Sequence, residues 1–192
     1  MHILILHGIG AEAGAHWQRW LGHELEKEGH TVHMPDLPDA SHPDRFDWLE
    51  YVKGILQDIP PAQLIIVGHS LGVVTALDFI EQSHTKVHGL VSVSGFPRDY
   101  GSELNSYFMK EKELDFMIIN AMLETAIVWY GDNDPYVPQV TLQSLADELE
   151  VTAHVVSRGG HLNTEAGYEV FPALLESIVE ICPTNIHLKN HE

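Results

Sequence analysis

Residues 62–82 read "AQLIIVGHSLGVVTALDFIEQ", and the five at their centre, Gly68-His69-Ser70-Leu71-Gly72, decide the fold. The short apolar run before them is rich in Ile, Leu and Val and reads as a buried strand. The run after them carries apolar residues at helical spacing. G-x-S-x-G between a strand and a helix describes a sharp turn that holds the serine in a strained backbone conformation. Glycines two residues to either side avoid clashes there. Ser70 then projects its hydroxyl from the top of the sheet. The bare pattern also reads as a glycine-rich turn feeding a helix; the strand before it and the helix after it separate the two readings.

Outward from this stretch the same alternation continues. Strands are predicted at 2–6, 30–34, 62–68, 87–95, 126–131 and 152–157. Helical spacing places Trp17, Leu21 and Leu25 on one face of a first helix over 14–29. Phe46, Leu49, Val52 and Ile55/Leu56 follow in a second, with Ser41 and Asp44 as its capping signal. Helices at 71–82, 141–150 and about 168–182 complete the set, Pro172 being tolerable only in a first turn. Strands made of near-continuous apolar runs and alternating with helices form a parallel sheet covered on both faces. The expected architecture is a single-domain α/β three-layer sandwich over residues 1–183, with about six mostly parallel strands. Residues 184–192 read as a polar tail. Segment 96–122 interrupts the alternation, reads as largely helical, and is a candidate small cap.

Composition bounds the partners. Ten Lys and Arg stand against 28 Asp and Glu, a net charge of −18. A field of that sign repels phosphate backbones and anionic lipid, which argues against nucleic-acid and membrane-surface binding. The single cysteine, Cys182, excludes an internal disulfide and fits a reducing compartment. The N-terminus has neither a basic region nor a cleavage site, and no run reaches membrane-spanning length. A cytoplasmic, soluble protein is expected. The fourteen histidines are scattered; the pairs His30/His33 and His187/His191 have ligand-like spacing but read as solvated.

In open parallel sheets ligands bind at the carboxyl ends of the strands. A serine hydroxyl placed there is a poor nucleophile and needs a base, which in turn needs an orienting acid. "RGGH" follows the last strand and supplies His161; "GDNDPYVP", residues 131–138, follows the fifth. Three aspartates compete for the acid. Asp134 precedes Pro135 and is biased toward an extended backbone that carries its carboxylate toward His161. Asp132 reads as a turn former whose side chain caps backbone N–H groups, and Asp99 follows the fourth strand. His69, beside the serine, points away from the hydroxyl and reads as structural. An oxyanion hole needs two backbone N–H groups. Leu71, after the nucleophile, provides one, and Ile9 in the glycine-flanked loop "LHGIG" after the first strand provides the other. His16, Trp17, Phe96 and Tyr136 are candidate pocket residues, and Tyr100, Tyr107, Phe108, Met109 and Phe116 could line an acyl site or pack on the sheet.

Together "LHGIG", "GHSLG", "GDNDPYVP" and "GGHLNTEAGY" resemble the α/β-hydrolase superfamily. More narrowly they resemble the small serine hydrolases grouped with retinoblastoma-binding protein 9. The Asp-Pro-x-x-Pro turn, the Gly-His-x-Asn-Thr-Glu pattern at 160–165 and His16-Trp17 carry the narrower likeness, which runs through nearly the whole chain. The resemblance implies a sheet lacking the first two strands of larger hydrolases. It also implies a catalytic triad of Ser70, Asp134 and His161, esterase-like hydrolysis of a small-molecule acyl substrate, and no metal or cofactor. Retinoblastoma-protein binding, credited to an L-x-C-x-E segment, does not carry over, because the single cysteine stands in "EICPT". A hydrolase scaffold used for binding, and acyl transfer to an alcohol other than water, are the alternatives.

Overall fold

The computed structural model describes residues 1–183; the predicted polar tail and the His187/His191 pair lie outside the described residues. Six strands form one parallel sheet: β1 (His2–Leu6), β2 (Thr31–His33), β3 (Leu64–His69), β4 (Val87–Val93), β5 (Leu123–Gly131) and β6 (His154–Val156), in the order β2-β1-β3-β4-β5-β6. The order reverses at β1, next to β3. The crevice above these strand ends is where the chain's chemistry is expected.

Among the described residues seven helices flank the sheet: α1 (Gln18–Lys27), α2 (Arg45–Leu56), α3 (Leu71–Glu81), α4 (Ser106–Lys110), α5 (Phe116–Met122), α6 (Gln139–Glu148) and α7 (Pro172–Ile181). Side chains alternate across the central strands and feed two cores. Leu4, Leu6, Leu64 and Ile66 pack against α2, α3, α6 and the 96–122 segment. Ile3, Ile5, Ile65 and Val67 pack against α1 and α7. Each central strand is thus buried on both faces, as its continuous apolar run requires.

The helices depart from their predicted forms at several places. α1 begins at Gln18, not at Gly14, because Gly14 and His16 take positive φ (81° and 58°) and cannot continue a helix backward. Asp44, rather than Ser41, caps α2: its carboxylate accepts from the N–H groups of Phe46 and Asp47. In this helix Phe46 points outward, 52% exposed, and Trp48 points inward. Between β4 and β5, the expected long helix is two short ones, separated by residues 111–115.

The stretch carrying α4 is tied to the body through a buried charge cluster. Arg45 donates from Nε and Nη2 to the two carboxylate oxygens of Asp78 (2.7 and 3.0 Å). Its Nη1 donates to the carbonyls of Lys112 (2.7 Å), Met109 and Phe108. Lys112 reaches Asp78 as well (3.1 Å). Arg45 and Asp78 are 2% and 1% exposed. A planar guanidinium suits this site because it serves a carboxylate and several chain-end carbonyls at once.

Candidate active site

The turn after β3 has the form its sequence demands. Ser70 sits at φ 54°, ψ −123°, a conformation side chains rarely take, at the N-cap position of α3, where its side chain makes no capping bond. Its N–H is held by the Val93 carbonyl (2.9 Å), and its own carbonyl accepts from Val73 (3.0 Å). A Cβ added to Gly72 would lie 2.5 Å from the His7 carbonyl oxygen, and one on Gly68 would lie 2.8 Å from the Val73 backbone. The two glycines are therefore there for close approach. The loop after β1 comes equally near: a Cβ on Gly8 would lie 3.1 Å from Ser70 Cβ.

Asp134 and His161 meet. His161 Nδ1–H donates to Asp134 Oδ2 at 2.6 Å, and the Asp134 side chain has no exposed surface. The other oxygen, Oδ1, accepts from Tyr136 N–H (2.8 Å) and Val137 N–H (3.0 Å). Its two neighbours hold the histidine loop. Asp132 accepts from Arg158 N–H (2.7 Å), and Asn133 Oδ1 accepts from Gly160 N–H (2.7 Å). Asp99 is engaged elsewhere, accepting from Gly101 N–H and from the Ser106 hydroxyl, whose bond lowers its pKa.

The His161 carbonyl is gripped from below by two donors, His69 Nε2–H (2.9 Å) and the Ser94 hydroxyl (3.0 Å). His69 is a support for the loop. Burial pushes its imidazole well below the ordinary histidine pKa, and the nearby His161 pushes it the same way, so it stays neutral. His16 stands edge-on to His69 (5.2 Å between centroids). Its Nδ1 accepts from Thr164 N–H (3.2 Å), which leaves its proton on Nε2. Burial, then His161, lowers its pKa too.

Ser70 and His161 open on one cavity of about 570 Å³. Among the described residues no hydrogen bond yet joins Ser70 Oγ to His161, as is common before substrate binds. Ile9 N–H and Leu71 N–H have no hydrogen-bond acceptor among the described residues, whereas Gly10 N–H is taken by the Ala40 carbonyl (2.6 Å). Leu71 also stands at the start of α3, where N–H groups lack intrahelical partners.

Of the four pocket candidates, His16 and Tyr136 line the cavity. Trp17 and Phe96 do not, being wholly buried. Trp17 Nε1–H instead ties to the Leu162 carbonyl (2.9 Å), and Phe96 packs edge-on to Tyr100. From the 96–122 segment, Tyr100 lines the wall together with Leu104 and Asn105; Phe108 and Met109 are buried in the core, and Tyr107 stacks on His42. Leu104, Asn105, Val137 and Asn163 were not identifiable as lining residues from the sequence. Val137 and Asn163 stand within the quoted motifs at 131–138 and 159–168, whereas Leu104 and Asn105 lie near none.

A parallel α/β sandwich with a strained serine above β3 and a carboxylate–imidazole pair above β5 and β6 is the architecture of the α/β hydrolases. The chain belongs to the serine hydrolase family, whose sequence model matches residues 3–180. It is 26% identical over 177 residues to YdeN of Bacillus subtilis (strain 168), covering 91% of this chain and 92% of that one. It is 28% identical over 163 residues to the serine hydrolase RBBP9 of Rattus norvegicus, covering 81% and 84%. The crystal structure of the B. subtilis ydeN gene product superposes with a TM-score of 0.87 at 24% identity, covering 94% of this chain and 97% of that one. No helix among the described residues is long and apolar enough to cross a membrane.

Proposed function

We propose that this hydrolase cleaves carboxylic esters, thioesters or activated amides through an acyl-enzyme on Ser70. His161 takes the Ser70 proton as the hydroxyl attacks the carbonyl. The oxyanion is received by Ile9 and Leu71 N–H. His161 then protonates the leaving group and activates the water that clears the acyl group, while Asp134 fixes the imidazole tautomer and stabilises the imidazolium. The observation that supports this reading is that the strained serine lines one cavity with Ile9 and with His161 of the Asp134–His161 pair, while the N–H groups of Ile9 and of Leu71, next to the serine, are unengaged.

The cavity also speaks to substrate class. Among the described residues no Lys or Arg lines it, and Glu12 is the one charged lining residue, so neutral or cationic substrates fit better than carboxylates. Ile9, Leu104, Val137, Tyr100 and Tyr136 give it an apolar wall suited to a short acyl chain. A small-molecule acyl substrate and a cytoplasmic location belong to the same reading.

The test is labelling with a fluorophosphonate probe together with turnover of short p-nitrophenyl esters. Labelling and turnover should both vanish in Ser70→Ala. Turnover that survives Ser70→Ala, or wild-type protein that neither labels nor turns over any ester, would defeat the proposal.

A further inference from the structure

His7 does more than begin the loop after β1. The imidazole is 1% exposed, and its Nε2 accepts from Leu37 N–H (2.9 Å). A ring nitrogen that accepts from an N–H carries no proton, so the neutral ring is protonated at Nδ1. That nitrogen lies 2.8 Å from the Gly8 carbonyl oxygen and donates to it. The same oxygen accepts from Ala11 N–H (3.4 Å). Trp48 stands edge-on to the imidazole (5.8 Å) and keeps it from turning.

The Gly8–Ile9 peptide bond is trans. In a trans peptide the C=O and the following N–H point in opposite directions. Fixing the Gly8 carbonyl on His7 therefore turns Ile9 N–H the other way. Gly8 itself packs against Ser70, and both line the cavity with Ile9. The next peptide is fixed as well, because Gly10 N–H is held by Ala40. If the Gly8–Ile9 plane flipped, a carbonyl oxygen would face the developing oxyanion in place of a donor.

We infer that His7 is a positioning residue that sets the oxyanion hole by holding the Gly8 carbonyl. This rests on the acyl-transfer reading above. His7 touches no substrate; it acts through Ile9 N–H.

Two amides separate this role from a structural one. An asparagine places its Nδ2 where imidazole Nδ1 lies, so His7→Asn keeps the donor to Gly8 and loses the acceptor for Leu37. A glutamine reaches the Nε2 position, so His7→Gln keeps the Leu37 bond and loses the Gly8 one. Activity should then rank Asn above Gln, while thermal stability ranks Gln at or above Asn. His7→Gln and His7→Leu should lose about 10- to 100-fold in kcat on p-nitrophenyl butyrate, somewhat below the cost of deleting an oxyanion donor. KM should stay within about twofold, and affinity for a trifluoromethyl ketone analogue should fall in parallel with kcat. His7→Asn should recover most of that loss. Activity in which Gln equals or exceeds Asn overturns the inference, as does a folded His7→Leu protein within threefold of wild-type kcat. If His7→Leu does not fold, the Asn–Gln order decides alone. Wild-type protein that is neither labelled by fluorophosphonate nor active would instead count against the acyl-enzyme reading, so the two failures are distinguishable.

Discussion

Replacing Asp134 by asparagine should cost far more than replacing Asp132, although the two lie only two residues apart. The size follows from how Asp134 is held. Its Oδ1 accepts from two backbone N–H groups, those of Tyr136 and Val137, while Oδ2 faces His161 Nδ1 at 2.6 Å. An asparagine there cannot choose its orientation. Turning its NH2 toward the two N–H groups would set donors against donors, so the carbonyl stays on them and the NH2 faces His161. The imidazole must then accept at Nδ1 and carry its proton on Nε2, the nitrogen that has to take the proton from Ser70. The same exchange in a Ser-His-Asp protease costs about 10,000-fold. An expected loss of about 1,000- to 10,000-fold in kcat corresponds to about 4–5.5 kcal/mol of barrier. Asp132 accepts one bond, from Arg158 N–H, which an asparagine carbonyl can keep. Its loss should stay under about tenfold. The assay is steady-state hydrolysis of p-nitrophenyl butyrate, with Ser70→Ala as background and circular dichroism to show that both variants fold. An Asp134→Asn enzyme within tenfold of wild type, or an equal loss at Asp132, would refute the reasoning.

Three further outcomes are expected. Replacing Glu12 by lysine should raise kcat/KM severalfold for a carboxylate-bearing ester relative to a neutral one at low salt, and the gain should fade at about 0.5 M salt; an unchanged ratio would remove Glu12 from substrate selection. Stability should fall as the solution is acidified below about pH 6.5, the ordinary histidine value, because there the unfolded chain binds protons that His69, and to a lesser degree His16, His30 and His33, refuse in the folded state. Each fully refused proton contributes up to about 1.36 kcal/mol per pH unit. Urea titrations at successive pH values should show a shallower slope for His69→Gln, and an identical slope would contradict the assignment. Removing Arg45 with leucine strands the Asp78 carboxylate beside Lys112 alone and frees the carbonyls at the end of α4; about 3 kcal/mol of unfolding free energy should be lost. A loss under about 1 kcal/mol would mean that the cluster does not hold the α4 stretch.

What the sequence makes legible is whatever a few adjacent residues dictate. The turn at Ser70 is such a case, because Gly68 and Gly72 answer clashes within one strand–turn–helix unit. So is the sheet, whose apolar runs identify six strands to within a few residues. What escapes depends on partners far along the chain. Trp17 suits a pocket mouth by type and position, yet its indole N–H finds the Leu162 carbonyl 145 residues away and the ring is buried. The start of α1 is missed for a similar reason: His16 takes a positive φ and bonds Thr164. Phe46, in the first turn after Asp44, points outward although it has helical spacing to the buried Leu49 and Val52. The grips of Ser94 and His69 on the His161 carbonyl leave no local trace, since each joins a strand end to a loop that the sequence separates widely.

Ser70 stands just past the end of β3, and Asp134 and His161 stand on the loops after β5 and β6, with β4 between. The distance between them is thus counted in strand spacings of about 4.8 Å, each fixed by hydrogen bonds rather than by side-chain volume. The sheet works as a ruler for the site. Helices and cavity walls can be rebuilt, altering what is admitted and how firmly the protein holds together, without changing the interval between Ser70 and His161. That is how a fold can be shared with the ydeN gene product at a TM-score of 0.87 while about three residues in four differ.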